Sequence, residues 1–302
     1  MRYRPLGGSG MVVSAVSMSL ADSAARARPS DWTAIIYAAL ENGINAFEVV
    51  GRHPAIAEGL GLALQSIERR LVFISWRVGS AIAPNGATIR DFSPAGMRNL
   101  TESAIARSGL GYLDAVVLDD PNSAELNPQT LELLKSLREQ GRTKMLGVAG
   151  EDDAIDAYIS AGAFDLLCTP FSLTSGWKER LRLKAAVDRD MGVMGYNYFP
   201  DSLQRGAALA AKPSRATTAN PLVGMGTYSF LDNTNNWKSE ELCLAYALTE
   251  PCLASVQIVA DRPDRLESLA AITERDLPPG LGAQIEMARF SPQANADRAR
   301  RA

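Results

Sequence analysis

Eight short apolar runs, each followed by a stretch with helical spacing, set the strongest constraint on this chain. The runs are Val12 to Ser19, Asn45 to Val50, Leu71 to Val78, Leu113 to Leu118, Thr143 to Val148, Phe164 to Cys168, Gly192 to Asn197 and Ala254 to Val259. The helical stretches are Asp31 to Asn42, Ala55 to Ile67, Ala95 to Arg107, Pro128 to Gln140, Ala154 to Ala161, Lys178 to Asp188, Ser239 to Thr249 and Pro263 to Arg275. Asp261 stands where it can cap the last of these. Strands that are apolar nearly throughout are buried on both faces, which marks a parallel sheet covered by helices. Eight such units in 302 residues favour closure into an α/β fold of the (β/α)8 TIM-barrel type spanning 1–290. A doubly wound open sheet is the alternative, but no glycine-rich fingerprint follows the first strand to support it.

Two segments fall outside the repeat. Within Met1 to Val16, the turn signal Gly7-Gly8-Ser9-Gly10 predicts an N-terminal β-hairpin. Pro200 to Trp237 is long for a connection, and reads as a lid over the barrel mouth or a mobile excursion. The end of the chain, 291–302, is polar and reads as a flexible tail. Because it finishes in alanine, it also offers a handle for an ATP-dependent protease.

Composition narrows the function classes. A net charge of -3 gives no electrostatic reason to expect nucleic acid. Cys168, Cys243 and Cys252 form no ligand cluster, and the expected state is reduced, buried thiols in a cytoplasmic protein. No run approaches the roughly 18 apolar residues of a membrane span, no signal pattern opens the chain, and no donor spacing predicts a metal.

Histidine chemistry rests on one residue. His53 is the only imidazole, five positions after Glu48 in Phe47-Glu48-Val49-Val50-Gly51-Arg52-His53. A solvated or structural loop histidine is the plainer reading, and general acid catalysis the sharper one.

Several fragments together resemble the aldo-keto reductase family along nearly the whole chain. Tyr3-Arg4-Pro5-Leu6-Gly7 with Ser9-Gly10 and Val13-Ser14 is similar to its N-terminal hairpin and first strand. Gly43-Ile44-Asn45-Ala46-Phe47, Tyr112-Leu113-Asp114, Leu146-Gly147-Val148 and Phe164-Asp165 occur where that family carries its own versions. The resemblance implies a barrel that binds an extended nicotinamide dinucleotide at the C-terminal strand ends. It also implies an Asp, Tyr, Lys and His tetrad for carbonyl reduction, and here all four positions differ: Glu48, His53, Arg77 and Asp119 respectively. Arginine replaces a point charge with a wide fork that is always protonated. Arg77 is therefore expected to pair with Glu48, or with Asp119, in space a substrate carbonyl needs.

The implied cofactor site is altered but less completely replaced. Tyr196 matches the aromatic that stacks on nicotinamide, with Asn197 beside it among the cofactor positions, and Tyr198, Phe199, Asp201, Arg205 and Gly206 match the loop around the pyrophosphate. The family's carboxamide-binding side chains fall on Ala149, Gly150 and Cys168. Towards the adenosine, Ala260, Asp261 and Arg265 are the matching positions, Val259 replaces a lysine that would pair with a 2′-phosphate, and Leu269 replaces an adenine-contacting Asn. A carboxylate at Asp261 accepts from a 2′-hydroxyl and repels a 2′-phosphate, which predicts NAD(H) over NADP(H).

Three functions follow as alternatives. A dinucleotide-like frame with a replaced tetrad resembles the oxidoreductase-like regulators of alphaproteobacterial cell division. That resemblance alone implies two partners, the tubulin-like division GTPase FtsZ and a DivJ-type sensor histidine kinase. The others are an active oxidoreductase with an unusual mechanism through His53 or Glu48, and a barrel scaffold that binds no cofactor.

Overall fold

The computed structural model describes residues 1–82, 88–201, 203, 228, 231 and 234–289. Most of Pro200 to Trp237, with Arg205 and Gly206, and all of 291–302 lie outside the described residues.

A hairpin of β1 (Tyr3–Pro5) and β2 (Val12–Ser14) pairs antiparallel, with Pro5 opposite Val12. Three strands follow, β3 (Val16–Leu20), β4 (Ala46–Val49) and β5 (Phe73–Val78). A second antiparallel hairpin, β6 (Ser80–Ile82) with β7 (Thr88–Arg90), interrupts them. Then come β8 (Leu113–Asp119), β9 (Thr143–Ala149), β10 (Leu166–Pro170), β11 (Gly192–Tyr196) and β12 (Ser255–Ile258). The strands β3, β4, β5 and β8 to β12 form one closed barrel, each parallel to its neighbours, and β12 closes on β3 with Val256 opposite Val16. This is the (β/α)8 architecture the strand count predicts.

The helices are α1 (Pro29–Glu41), α2 (Pro54–Leu64), α3 (Pro94–Ser108), α4 (Pro128–Glu139), α5 (Asp153–Ala161), α6 (Trp177–Val187), α7 (Ser239–Leu248), α8 (Pro263–Ala271) and α9 (Leu281–Arg289). Five begin with proline, whose fixed φ suits the first turn and whose missing N–H is an orphan there in any case.

Three readings of the sequence need correction. The run Val12 to Ser19 is two strands: the Ser14 hydroxyl donates to the Val16 carbonyl at 2.6 Å, and the Ala15 N–H turns back to Arg2 O at 2.8 Å. The helix Pro263 to Arg275 ends at Ala271 and continues only as a 3-10 turn, Ile272–Glu274. Asp261 does not cap it, because the cap position is Arg262 with no side-chain cap bond. The β6–β7 hairpin and α9 were not foreseen, since three-residue strands show no alternation and α9 carries no strong apolar stripe.

Parity along the strands divides the core. On β5, Ile74 and Val78 pack outward into the layer shared with the helices, while Phe73 points into the barrel. Leu6 closes the barrel floor, fully buried against the interior cluster that includes Phe73, Leu166 and Met194. Gly7 lets the hairpin approach: with φ +53°, an added Cβ would lie 2.3 Å from the Gly192 nitrogen. Moving towards the strand C-termini, the interior changes from apolar to polar, with Ser17, Glu48, Ser75, Cys168 and Gln257 all buried.

Candidate functional site at the C-terminal strand ends

Arg77 sits at the centre of that polar interior. It has the same parity as Phe73, so β5 directs its side chain inward, near the strand's end. Nη2 donates to Glu48 Oε2 at 3.2 Å, and Nη1 donates to Asp119 Oδ1 at 3.1 Å. The two partners that the sequence offers as alternatives are thus held at once. Glu48 is fully buried, Arg77 only 11% exposed and Asp119 26% exposed, so the Glu48 arm is the desolvated one. The guanidinium also lies over the Tyr196 ring, 4.7 Å from its centroid, in a cation–π contact. Arg77 Nε has no hydrogen-bond partner among the described residues.

The cluster runs further in both directions. Inward, the Cys168 thiol donates to Glu48 Oε1 at 3.4 Å. Outward, the Ser80 hydroxyl on β6 donates to Asp119 Oδ2 at 3.4 Å, and Arg52 donates to Ser80 Oγ. A polar chain therefore links the barrel interior to the β6–β7 hairpin and the loop after β4. Ser80 and Arg52 carry no sequence signal for this role.

Electrostatics fix the protonation of the cluster. Burial alone disfavours the Arg77 charge, but Glu48 above all, with Asp119 among the smaller contributions, more than offsets it, holding its pKa above the usual arginine range. The Cys168 thiol is pushed well up by burial and then by Glu48, so it stays protonated and is a poor nucleophile. Burial likewise raises the Tyr196 phenol, with Arg77 only partly opposing it.

His53 is placed elsewhere, at the start of α2. Its Nδ1 accepts the Ala55 N–H at 3.2 Å, making the ring the N-cap of that helix. Its backbone N–H donates to Asp22 Oδ1 at 2.8 Å, and Arg52 N–H reaches the same carboxylate at 2.9 Å. Gly51 permits this approach, because a Cβ there would lie 2.6 Å from the Asp22 nitrogen. Among the described residues no hydrogen bond joins His53 to Glu48, Arg77 or Asp119. His53→Ala is expected to remove a cap worth about 1 kcal/mol, whereas His53→Asn retains it. Urea midpoints of the two variants measure the difference, and equal midpoints would show that the ring does not cap α2.

A second cluster forms where the sequence points to adenosine. Arg265 on α8 donates through Nη2 to Glu240 Oε1 at 2.8 Å, and its Nη1 lies 3.5 Å from Asp261 Oδ1. The Tyr198 hydroxyl donates to the same Glu240 oxygen at 2.9 Å. Burial and then Glu240 push the Tyr198 phenol well above its ordinary range, so it remains a donor. Asp261 and Arg265 belong to the segment matched to adenosine and Tyr198 to the one matched to the pyrophosphate, while Glu240 looks in sequence like an ordinary first-turn acid of α7.

The remaining predicted positions vary. Asn197 follows β11, exposed and with φ 54°, a left-handed conformation that asparagine tolerates. Phe199 is half-buried against the core, and Asp201 is exposed. Ala260 is buried, its carbonyl accepting from Arg26 Nη2 at 2.9 Å. Leu269 is a core residue and offers no polar contact. Ala149 and Gly150, with Cys168 already donating to Glu48, supply no side-chain partner for a carboxamide.

Comparison with known proteins gives the family. The sequence matches the family model described as the aldo/keto reductase family over residues 17–288. The chain belongs to the aldo/keto reductase family. Members generally bind NAD(P)H. An aldo-keto reductase from Bacillus halodurans, in its holo form, superposes with a TM-score of 0.78 at 17% identity, covering 95% of this chain and 96% of that one. A Pseudomonas aeruginosa protein assigned to the aldo-keto reductases gives 0.66 at 18%, covering 89% and 93%. No curated protein matches the sequence. Among the described residues no helix is long and apolar enough to cross a membrane, and no group of three or more His, Cys, Asp or Glu is placed to hold a metal ion.

Proposed function

We propose that this barrel binds NAD(H) without reducing carbonyls and acts through protein partners. The observation that carries the reading is the Arg77 bridge: one guanidinium, engaged by Glu48, Asp119 and the Tyr196 ring, occupies the strand ends where the family's tetrad stands. Carbonyl reduction needs a hydride, which NADH supplies when bound, and a proton from a donor tuned near the working pH. The groups in contact here are tuned away from that. Arg77 is held charged, and the Tyr196 phenol and Cys168 thiol are pushed upward, which makes each a weaker acid.

Residues for the dinucleotide fit better at one end than the other. Arg265, Asp261 and Glu240 offer charge and acceptors suited to an adenosine ribose. Tyr196 offers an aromatic surface to nicotinamide, without side-chain partners for the carboxamide. Such an arrangement suits occupancy sensing, in which a partner reads the bound state through its different affinity for the two forms.

The replaced tetrad on this frame resembles KidO, an oxidoreductase-like division regulator, and the partners proposed by that resemblance are FtsZ and a DivJ-type kinase. Calorimetry with NADH and NADPH, an aldehyde and quinone panel, and pull-down of both partners with and without NADH test the whole reading. The expected result is heat from NADH, no NADH oxidation above the protein-free rate, and NADH-dependent retention of a partner. Steady oxidation abolished by His53→Ala would establish an active oxidoreductase instead. Heat from neither dinucleotide would leave a scaffold.

A further inference from the structure

We propose that Glu240 is the residue that receives the adenosine ribose and bars a 2′-phosphate, an inference that rests on the NAD(H) reading above. Its carboxylate is half committed. Oε1 accepts from both Tyr198 and Arg265, while Oε2 accepts from no described residue, and the side chain is 23% exposed. A carboxylate oxygen of a partly exposed side chain, with no donor among the described residues, is open to a ligand's hydroxyl.

The two bonds at Oε1 also hold that oxygen's mate in place. Tyr198 lies just past β11, Arg265 on α8 and Glu240 on α7, so three elements converge on one carboxylate. Because the phenol stays protonated, it anchors Glu240 as a donor and does not compete with it for a ligand's hydroxyl.

Charge sets the discrimination. Arg265 is the cation that would otherwise welcome a phosphate, and it is flanked by two carboxylates, Glu240 and Asp261. The trio carries a net negative charge. Two neighbouring cations act on Asp261 and not on Glu240: Arg26, which donates to the Ala260 carbonyl and stacks over Trp32 with its guanidinium 5.1 Å from the ring centroid, and Arg262, which pairs with Asp264. A 2′-hydroxyl can donate to Oε2 at no charge cost, whereas a 2′-phosphate meets like charge on both sides of Arg265. Of the two acids Glu240 is the stronger discriminator, since Asp261 is 61% exposed and more fully screened.

ADP-ribose and 2′-phospho-ADP-ribose probe this end of the site without the nicotinamide. For the full chain, calorimetry gives the ratio of their Kd values, with ADP-ribose bound more tightly. Glu240→Gln should lower that ratio about tenfold, by removing one charge and adding an amide donor. Asp261→Asn should lower it less than about threefold. Arg265→Gln should move it the other way, leaving two carboxylates unopposed, so a poorly folding Glu240 variant does not block the test. A ratio that Glu240→Gln leaves unchanged would overturn the inference, as would tighter binding of the 2′-phosphate by the wild-type chain or binding of neither fragment. If the ratio shifts as expected while NADH itself does not bind, the Glu240 inference stands and the sensing reading falls.

Discussion

Arg77→Met should lower stability by about 3–5 kcal/mol, because it removes the one cation among the described residues that pairs with Glu48, a carboxylate with no exposure to water. Glu48 would keep a single described side-chain donor, the Cys168 thiol at 3.4 Å, which is a weak one. Asp119 loses less, since it is 26% exposed and keeps Ser80. At about 2–4 °C per kcal/mol for a domain of this size, the melting temperature should fall by roughly 10 °C. The cost belongs to the stranded charge and not to the pair. Adding Glu48→Gln to Arg77→Met should therefore restore more than half of the loss, since a buried ion pair replaced on both sides is commonly neutral. A single variant within about 1 kcal/mol of wild type, or a double variant worse than the single, would sink this account of the interior.

That experiment also bears on why the fold was easier to read than the site. The fragments that carry the family resemblance are fasteners at the starts of the strands. The side-chain oxygen of Asn45 accepts the Ser14 N–H at 2.7 Å, and its amide donates to the Val12 carbonyl at 3.1 Å, tying the first hairpin to β4. Asp165 accepts the Leu146 N–H at 2.8 Å and pairs with Arg138, registering β10 against β9. Such roles follow from backbone geometry common to every barrel of this kind, so they leave local signatures in a single sequence. Glu48, Arg77 and Asp119 lie on three strands up to 71 positions apart in the numbering of this chain, from 48 to 119, and their partnership exists only once the barrel closes. The positions were legible by correspondence, but the simultaneous bridge was not. Glu240 had no correspondence to draw on, and Asp22 and Ser80 carry no sequence signal for their roles, because their partners Arg52, His53 and Asp119 come near only in the folded barrel. His53 drew notice by being alone, although its ring serves a local hydrogen bond at a helix start.

Asp114→Ala should cost about as much as Arg77→Met, roughly 3–5 kcal/mol, while leaving dinucleotide binding unchanged. Asp114 is fully buried near the start of β8, where Oδ2 accepts the Ile74 N–H at 2.9 Å and lies 2.7 Å from Arg69 Nη2. Oδ1 takes Lys144 Nζ at 3.1 Å. Alanine would strand the buried Ile74 N–H and take the counter-charge from Arg69, which is only 19% exposed and keeps just the Val72 and Tyr112 carbonyls as acceptors. Lys144, 48% exposed, would return to water at little cost. Asp114→Asn keeps an acceptor for Ile74 and should lose less. Five residue steps along an extended strand separate Asp114 from Asp119, about 17 Å, so the strand-end site should be undisturbed wherever the variant remains folded. Thermal melts and NADH calorimetry on the same samples separate the two ends of the barrel: a lower melting temperature with an unaltered Kd assigns Asp114 to the fold. An altered Kd at a temperature where the variant is fully folded would instead couple the floor of the barrel to its mouth. That outcome would make the sensing reading depend on motion of the sheet, because among the described residues only the β5–β8 backbone ladder, and no chain of side-chain hydrogen bonds, connects Asp114 with Arg77.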